Sequence, residues 1–359
     1  MDSNFRHNYR KRVKGEQLKL YFRYLFRLYL KNFTTLLIGI SLLYLIVDLV
    51  GHYSQLPNSS NLQILYSYYT LLYGLDFLYP LALLFSFLVT LYQLVRRNEL
   101  VIFYSSGFRR RDLLKPFFLI GGGITLLFYF LDSTQFAYSI EKAKGILKGE
   151  QIWRSGSYFL TWKGKAVSIG ELNPIVGKAE EVTLFYFSPS NRLVKVVKAP
   201  TARFNGEEWI APEVELLQLT EEKWERGKVK NFHFLKEFKP KVVSNLKSVN
   251  TISFTDALYA LRYFKNLDTN QILAIALFKL TTPLVILFTT ALLFLVAPIQ
   301  IRIGNLSLFM VKSALLGVFL WGIQLLLFKF AKQGVLSPYW MGGVVVGVGV
   351  VLLYFLKRR

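Results

Sequence analysis

Leu71–Arg97 reads LLYGLDFLYPLALLFSFLVTLYQLVRR. From Leu71 to Val95 the one formally charged side chain is Asp76, and Arg96 and Arg97 close the stretch. About 20 mostly apolar residues, wound as a helix, cross the roughly 30 Å core of a bilayer. Neither the 3.6-residue stripe of a half-buried helix nor strand alternation interrupts the run, so it reads as a membrane span. Working outward, comparable blocks recur at Phe33–Val50, Pro116–Leu131, Ile272–Ala297, Leu306–Phe330 and Tyr339–Leu356, with Leu113 and Leu114 extending the short third one. This distribution explains the composition of the 359 residues, 53% hydrophobic and 16% aromatic. The predicted fold class is a membrane α-helical protein of six transmembrane helices with one inserted domain between the third and fourth.

Lysines and arginines orient the spans, because short cytoplasmic connections carry them in excess. Arg6, Arg10, Lys11, Arg12, Lys14, Lys19, Arg23, Arg27 and Lys31 precede the first span, whereas Gly51–Thr70 has neither residue type. Arg96, Arg97, Arg109, Arg110, Arg111 and Lys115 separate spans two and three; Arg302 separates four and five; Lys357, Arg358 and Arg359 follow span six. Only Lys329 and Lys332 sit against the alternation. Both termini are expected in the cytoplasm and residues 133–270 outside. The basic leader and the lack of a small-residue cleavage pattern mark the first block as a retained span rather than a signal peptide.

The insert has no apolar run long enough to span. Short β-branched or aromatic runs at Tyr158–Trp162, Ala166–Ile169, Val182–Phe187, Leu193–Val197, Thr201–Phe204, Glu213–Leu219 and Lys228–Phe234 read as strands. Turn signals at Lys163-Gly164, Asn173-Pro174 and Ser188–Asn191 separate them. The pattern suggests an all-β sandwich or jelly roll. The chain therefore divides into residues 1–132 with helices one to three, a β domain at 133–270, and helices four to six at 271–359.

Several chemistries are excluded. With no cysteine there is no disulfide framework, thiolate nucleophile or thiolate metal site, and His7, His52 and His233 are too few for a histidine cluster. Phosphate-loop, zinc-protease and nucleophile-elbow motifs are absent. The net charge of +22 could suit nucleic acid, but the insert interleaves Glu180, Glu181, Glu207, Glu208, Glu221 and Glu222 with its lysines, leaving no basic stripe. Gly121–Gly123 lies inside span three, where small residues permit close helix approach. Asp76 and Asp132 lie near span ends, where interfacial water would solvate them. No cofactor is expected on this chain, so any energy-consuming step must come from a partner.

The connection of residues 96–108 carries the strongest functional signal. Glu99, Leu100, Ile102 and Phe103 have helical spacing, and Gly107 follows as a C-terminal cap. A short amphipathic helix in this position could seat in a groove of a soluble protein and pass its movement to two spans. An arginine-rich connection that merely anchors to lipid headgroups fits the same pattern.

Asn98-Glu99-Leu100 followed by Ser105-Ser106-Gly107-Phe108, after a span holding Pro80, resembles the LptF/LptG permeases, which export lipopolysaccharide. The similarity extends through Arg23-Tyr24, Val47-Asp48-Leu49, Leu184–Phe187, Asn191–Leu193, Ala199–Arg203, Gly206–Trp209, Lys279 with Pro283, and Pro338. The phrase around Glu99 and the Ala297-Pro298 exit lean toward LptG. The resemblance implies an inner-membrane ABC permease subunit without catalysis of its own. It implies a second six-span subunit, a dimeric cytoplasmic ATPase that uses ATP, and a membrane-anchored periplasmic bridge with its own jelly roll. Arg97, Glu99, Leu100, Phe103 and Gly107 would then form the coupling helix.

Residue chemistry adds candidate lipid contacts. Moving an acyl chain of about a dozen carbons into water costs roughly 10 kcal/mol at about 0.8 kcal/mol per methylene, so the lipid needs a sheltered apolar cavity. Phe85, Phe309, Phe319, Trp321 and Phe328 are available to line it, although helix packing accounts for each alone. Lys142, Lys144, Lys329 and Lys332 stand on the outer side, where they would meet an anionic headgroup or snorkel. LptG-type members carry a basic residue late in span one, where this chain has Asp48 and then His52. Two further function classes remain open: a membrane-integrated lipid-modifying enzyme, and a scaffold that tethers periplasmic proteins without transport.

Overall fold

The computed structural model describes the chain except residues 1–2, 149–157, 163–164, 174–176, 189–191, 221–222, 239–251, 264–268, 301–304 and 359. The turns expected at 163–164, 174 and 189–191, and Arg302, lie outside the described residues. In chain order the described elements are α1 (Ser3–Gly51), α2 (Ser60–Arg96), α3 (Glu99–Ser105), α4 (Arg110–Asp132) and α5 (Ser139–Leu147). They continue with β1 (Tyr158–Trp162), β2 (Lys165–Asn173), β3 (Lys178–Phe187), β4 (Leu193–Phe204), β5 (Trp209–Thr220) and β6 (Lys223–Phe234). The last are α6 (Phe254–Tyr263), α7 (Thr269–Val296), α8 (Leu306–Lys332) and α9 (Trp340–Arg358).

Six of these helices, α1 from Leu20 onward, α2, α4, α7, α8 and α9, are long and apolar enough to cross a membrane. The chain forms two compact units. Met1–Gly51, Leu71–Leu131 and Leu277–Arg359 make a helical unit; His52–Thr70 and Asp132–Ala276 make the unit that holds the sheet. The residues expected as a plain connection between spans one and two belong to the second unit, and α2 begins already at Ser60.

Within the helical unit α2 is central. Its most apolar window is 78% buried, against 11% for α9. Leu83, Leu84, Phe87, Leu91, Leu94 and Val95 fill the interior. Helix α1 meets this core through Tyr21, Leu25, Tyr29, Phe33 and Leu37, one residue every four, which a helix places on one stripe. That stripe begins well before the expected span start at Phe33, because Arg23, Arg27 and Lys31 occupy the other faces and conceal it in a running hydropathy count. Of the three consecutive glycines only Gly121 is close-packed: a Cβ there would meet Leu287 Cδ1 at 2.7 Å, whereas Gly122 and Gly123 have nothing within 4 Å. Gly317 is tighter, with Leu84 Cδ2 at 2.1 Å from its absent Cβ, so α8 approaches α2 where α8 has no side chain.

Neither acidic residue assigned to interfacial water is solvated. Asp76 Oδ2 pairs with Lys279 Nζ at 3.5 Å, with both side chains only 11% exposed. Asp132 is buried. Apolar helices can hold a charge away from water when an opposite charge or hydrogen-bonding groups face it, and composition along one helix does not reveal that facing partner.

The other unit is built on one antiparallel sheet of order β1-β2-β3-β4-β5-β6. The inserted domain is thus all-β in its sheet, as expected. Its described strands follow each other as nearest neighbours in a meander, without the crossovers of a Greek key. The two runs expected as separate strands at Leu193–Val197 and Thr201–Phe204 are one strand, β4, which carries Pro200 in its middle. The pairing explains how. Val182 faces Ala199 and Glu180 faces Thr201, but the rung between them is skipped, and Glu181 opposite Pro200 has φ 54°. Strand β5 repeats the device: Ala211 faces Phe232 and Glu213 faces Lys230, while Asn231, opposite Pro212, has φ 52°. A proline cannot donate to the ladder, so its neighbour rotates away and the strand continues.

Trp162 and Trp209 are buried in this unit. Trp209 Nε1 donates to the Phe238 carbonyl at 2.7 Å, and Trp162 packs edge-on against Phe238 at 5.2 Å between centroids. The hydroxyl of Tyr138, just before α5, donates to the Asp256 carboxylate of α6 and accepts from the Ser253 amide at 3.1 Å. Burial and the Asp256 charge push the Tyr138 phenol up, so it stays protonated as the donor.

Candidate coupling site

Helix α3 is short, and its residues divide sharply. Leu100 is buried against the helical unit, Val101, Phe103 and Tyr104 are half-buried, and Ile102 is 59% exposed. The chain enters α3 through Asn98 in the left-handed region (φ 57°), which suits asparagine better than most residues. It leaves through Gly107 at φ 85°, where the Phe108 amide donates to the Phe103 carbonyl at 3.1 Å. Glycine tolerates that backbone without the strain a Cβ would bring. The expected helix and its cap both lie where the spacing puts them.

Glu99 starts the helix, the end at which a carboxylate complements the backbone dipoles. Its side chain is only 21% exposed. Oε2 accepts a 2.7 Å hydrogen bond from the hydroxyl of Tyr24 on α1, and Arg97 lies 3.8 Å from Oε1. Arg97 itself is mostly exposed. Three aromatic rings close the other side: Tyr21 of α1 stands edge-on to Phe108 at 4.5 Å and to Phe103 at 6.2 Å. The Tyr21 hydroxyl also donates to the Asp112 carbonyl at 3.1 Å.

The arginines after α3 reach further. Arg110 donates to the carbonyls of Leu295 and Ala297, the second at 3.1 Å, at the C-terminal end of α7. Arg111 donates to the Leu356 carbonyl in the last turn of α9. The last carbonyls of a helix have no intrahelical donor and carry partial negative charge, so a guanidinium satisfies both needs at once. The turn is therefore bonded to α1, α7 and α9 in addition to α2 and α4, which it joins covalently. Sequence reading found the helix but not these partners. The four-residue stripe containing Tyr21 was the available signal; nothing in the order of residues pairs Arg110 with α7.

The remaining candidates are dispersed. Lys142 and Lys144 lie on α5, in the unit with the sheet. Lys142 is half-buried with Nζ 5.2 Å from the centre of the Tyr69 ring, and burial pushes its ammonium pKa down; Lys144 is exposed. Lys329 and Lys332 lie in the last turn of α8, in the helical unit, a place that favours cations on its own account. Trp321 stands edge-on to Phe77 at 5.4 Å, and Phe328 stacks on Phe278 at 4.7 Å. These two share a face of α8. Phe319 falls about 160° round the helix from Trp321, at 100° per residue, and is 64% exposed. Phe85 and Phe309 are half-buried. The five aromatics thus serve different faces, with Phe319 the most open.

A family model described as lipopolysaccharide export system permease LptF/LptG matches residues 23–359. No curated protein matches the chain.

Proposed function

The chain belongs to the LptF/LptG family of lipopolysaccharide export permeases, and from this premise we propose that it is the membrane subunit through which a separate ATPase drives lipid extraction. The observation that carries the reading is the bonding of the α3 turn. A force applied at the exposed Ile102 passes to α1 through Tyr24 and Tyr21, to α7 through Arg110 and to α9 through Arg111. A connection that merely anchored to headgroups would gain nothing from such ties. In this reading the Glu99 carboxylate fastens α3 to α1, and Ile102 with Arg97 and the Gly107 turn faces the ATPase.

The positive-inside pattern places the turn and both termini in the cytoplasm and the sheet in the periplasm. Among the described strands β1 and β6 are the edges of the sheet, and an edge strand is a surface that a bridge protein could extend. A second six-span subunit would close the cavity, since α1, α8 and α9 leave most of their apolar faces open. The exposure of Phe319 is compatible with a role at that cavity or at the second subunit, and Lys142, Lys144, Lys329 and Lys332 are the candidate headgroup contacts.

The test is affinity purification of the detergent-solubilised chain from its native membrane. Recovery of a soluble nucleotide hydrolase with a second six-span protein supports the reading, and Ile102→Asp should abolish recovery of the hydrolase alone. Unchanged lipid export and ATPase binding in both Ile102→Asp and Glu99→Ala chains would remove the coupling claim.

A further inference from the structure

The largely shielded pair Asp76–Lys279 coincides with a second feature that neither charge requires. In α2 a proline follows Asp76 at the fourth position, Pro80; in α7 a proline follows Lys279 at the fourth position, Pro283. A proline has no N–H to give the carbonyl four residues earlier. The carbonyls so deprived are those of Asp76 and Lys279 themselves. Each charged residue therefore marks the turn at which its own helix ladder is open, and the 3.5 Å ion pair joins those two turns across the helix interface.

Beyond the prolines, the two half-helices stay together. Phe87 of α2 meets Phe294 of α7 at 6.4 Å, and Phe117 of α4 contacts both at 5.5 and 5.6 Å. At the far end Arg110, reached through α3, holds the carbonyls of Leu295 and Ala297. Pro80–Arg96 and Pro283–Val296 are thus two rods of roughly 20–25 Å at 1.5 Å per residue, joined at one end by the ion pair, while at the other Arg110 of α4 binds the end of the α7 rod. The missing proline N–H groups make the turns where Asp76 and Lys279 sit the weak points at which each rod can bend against the rest of its helix. A purely stabilising contact is better made here by apolar side chains, because desolvating two charges offsets much of their attraction.

We propose that Asp76 and Lys279 are positioning residues: they lock the weakened turns of α2 and α7 together, so that movement of the α3 turn swings both half-helices as one lever instead of bending them separately. The inference rests on the reading of the chain as a permease driven from α3.

The natural absence of cysteine permits a direct measurement. Spin labels at Val89→Cys and Val296→Cys, one on each rod and both 38% exposed, report the separation of the rods in the assembled complex. The unaltered pair should give one narrow distance, Asp76→Asn a broadened or two-component one, and the charge swap Asp76→Lys with Lys279→Asp a narrow one again. In proteoliposomes, Asp76→Asn should leave ATP hydrolysis within about twofold while lowering lipopolysaccharide released per ATP by about tenfold, within the range of coupling between contacting residues. The swap should restore most of the ratio. A narrow distance and normal ratio in Asp76→Asn overturn the lever. Where Asp76→Asn does not fold, the swap decides: a folded, swapped complex with separated rods or an uncoupled ATPase overturns it equally. A wild-type complex that moves no lipopolysaccharide refutes the permease reading instead, while the label distances still judge the lock.

Discussion

Tyr24 and Glu99 stand 75 positions apart in sequence and 2.7 Å apart in space. Hydrogen bonds to charged groups contribute about 1.5–3 kcal/mol when shielded, and less where water competes. A double-mutant cycle of Tyr24→Phe and Glu99→Gln should therefore give a coupling of about 1 kcal/mol in the unfolding of the detergent-solubilised chain. Zero coupling would mean that α3 is not fastened to α1 by this bond. Gly107 makes a sharper case. A Cβ there would touch nothing within 4 Å, yet φ is 85°, so Gly107→Ala should cost about 1 kcal/mol from backbone strain alone. Gly122→Ala, equally uncrowded but helical, should be neutral or stabilising in the same melt. At this scale the sequence displayed acids, caps and their spacing, because those act within one turn of helix. It concealed Tyr24, Arg110 and Lys279, whose partners are supplied by other helices.

Elements were more legible than contacts. Uninterrupted apolar runs have few alternatives in a membrane, since every backbone group must be satisfied inside the segment, and six spans followed from that alone. The strands were legible through their β-branched and aromatic runs, but Pro200 read as a break. Only the pairing, with Glu181 at positive φ opposite, shows how β4 passes through it. Helix packing is likewise a property of two elements at once. Gly317 and Gly322 are both glycines of α8, five residues apart, and composition treats them alike. Gly317 faces Leu84, whereas Gly322 has nothing within 4 Å. Introducing valine at Gly317 should destabilise the chain by about 1–3 kcal/mol through overpacking, read as a lower midpoint in a thermal dispersity assay. Gly322→Val should change that midpoint little. Equal effects would show that α8 does not approach α2 at Gly317.

For the whole molecule the decisive quantity is which side of the bilayer each charged segment occupies. By the positive-inside rule the basic residues flanking α3 favour a cytoplasmic address, and a long insert can cross regardless of its own charge. Helix count enforces consistency: with six spans, both termini share a side, and the α2–α4 turn shares it too. A single cysteine at Ser106, exposed after α3, or at Lys228, exposed on β6, has no competing native thiol. Lys228→Cys should react with a membrane-impermeant maleimide in cells whose outer membrane alone is opened, and Ser106→Cys only after the inner membrane is broken. The reverse pattern would place the α3 turn away from any cytoplasmic ATPase and dismiss the coupling mechanism with it. Labelling of both sites in unbroken cells would instead reduce the number of true spans between them. With the expected pattern, adding the purified ATPase to inside-out vesicles should protect Ser106→Cys from the maleimide, because the turn around Ile102 lies on the side where that partner binds, whereas Lys228→Cys faces the lumen and stays unlabelled with or without it.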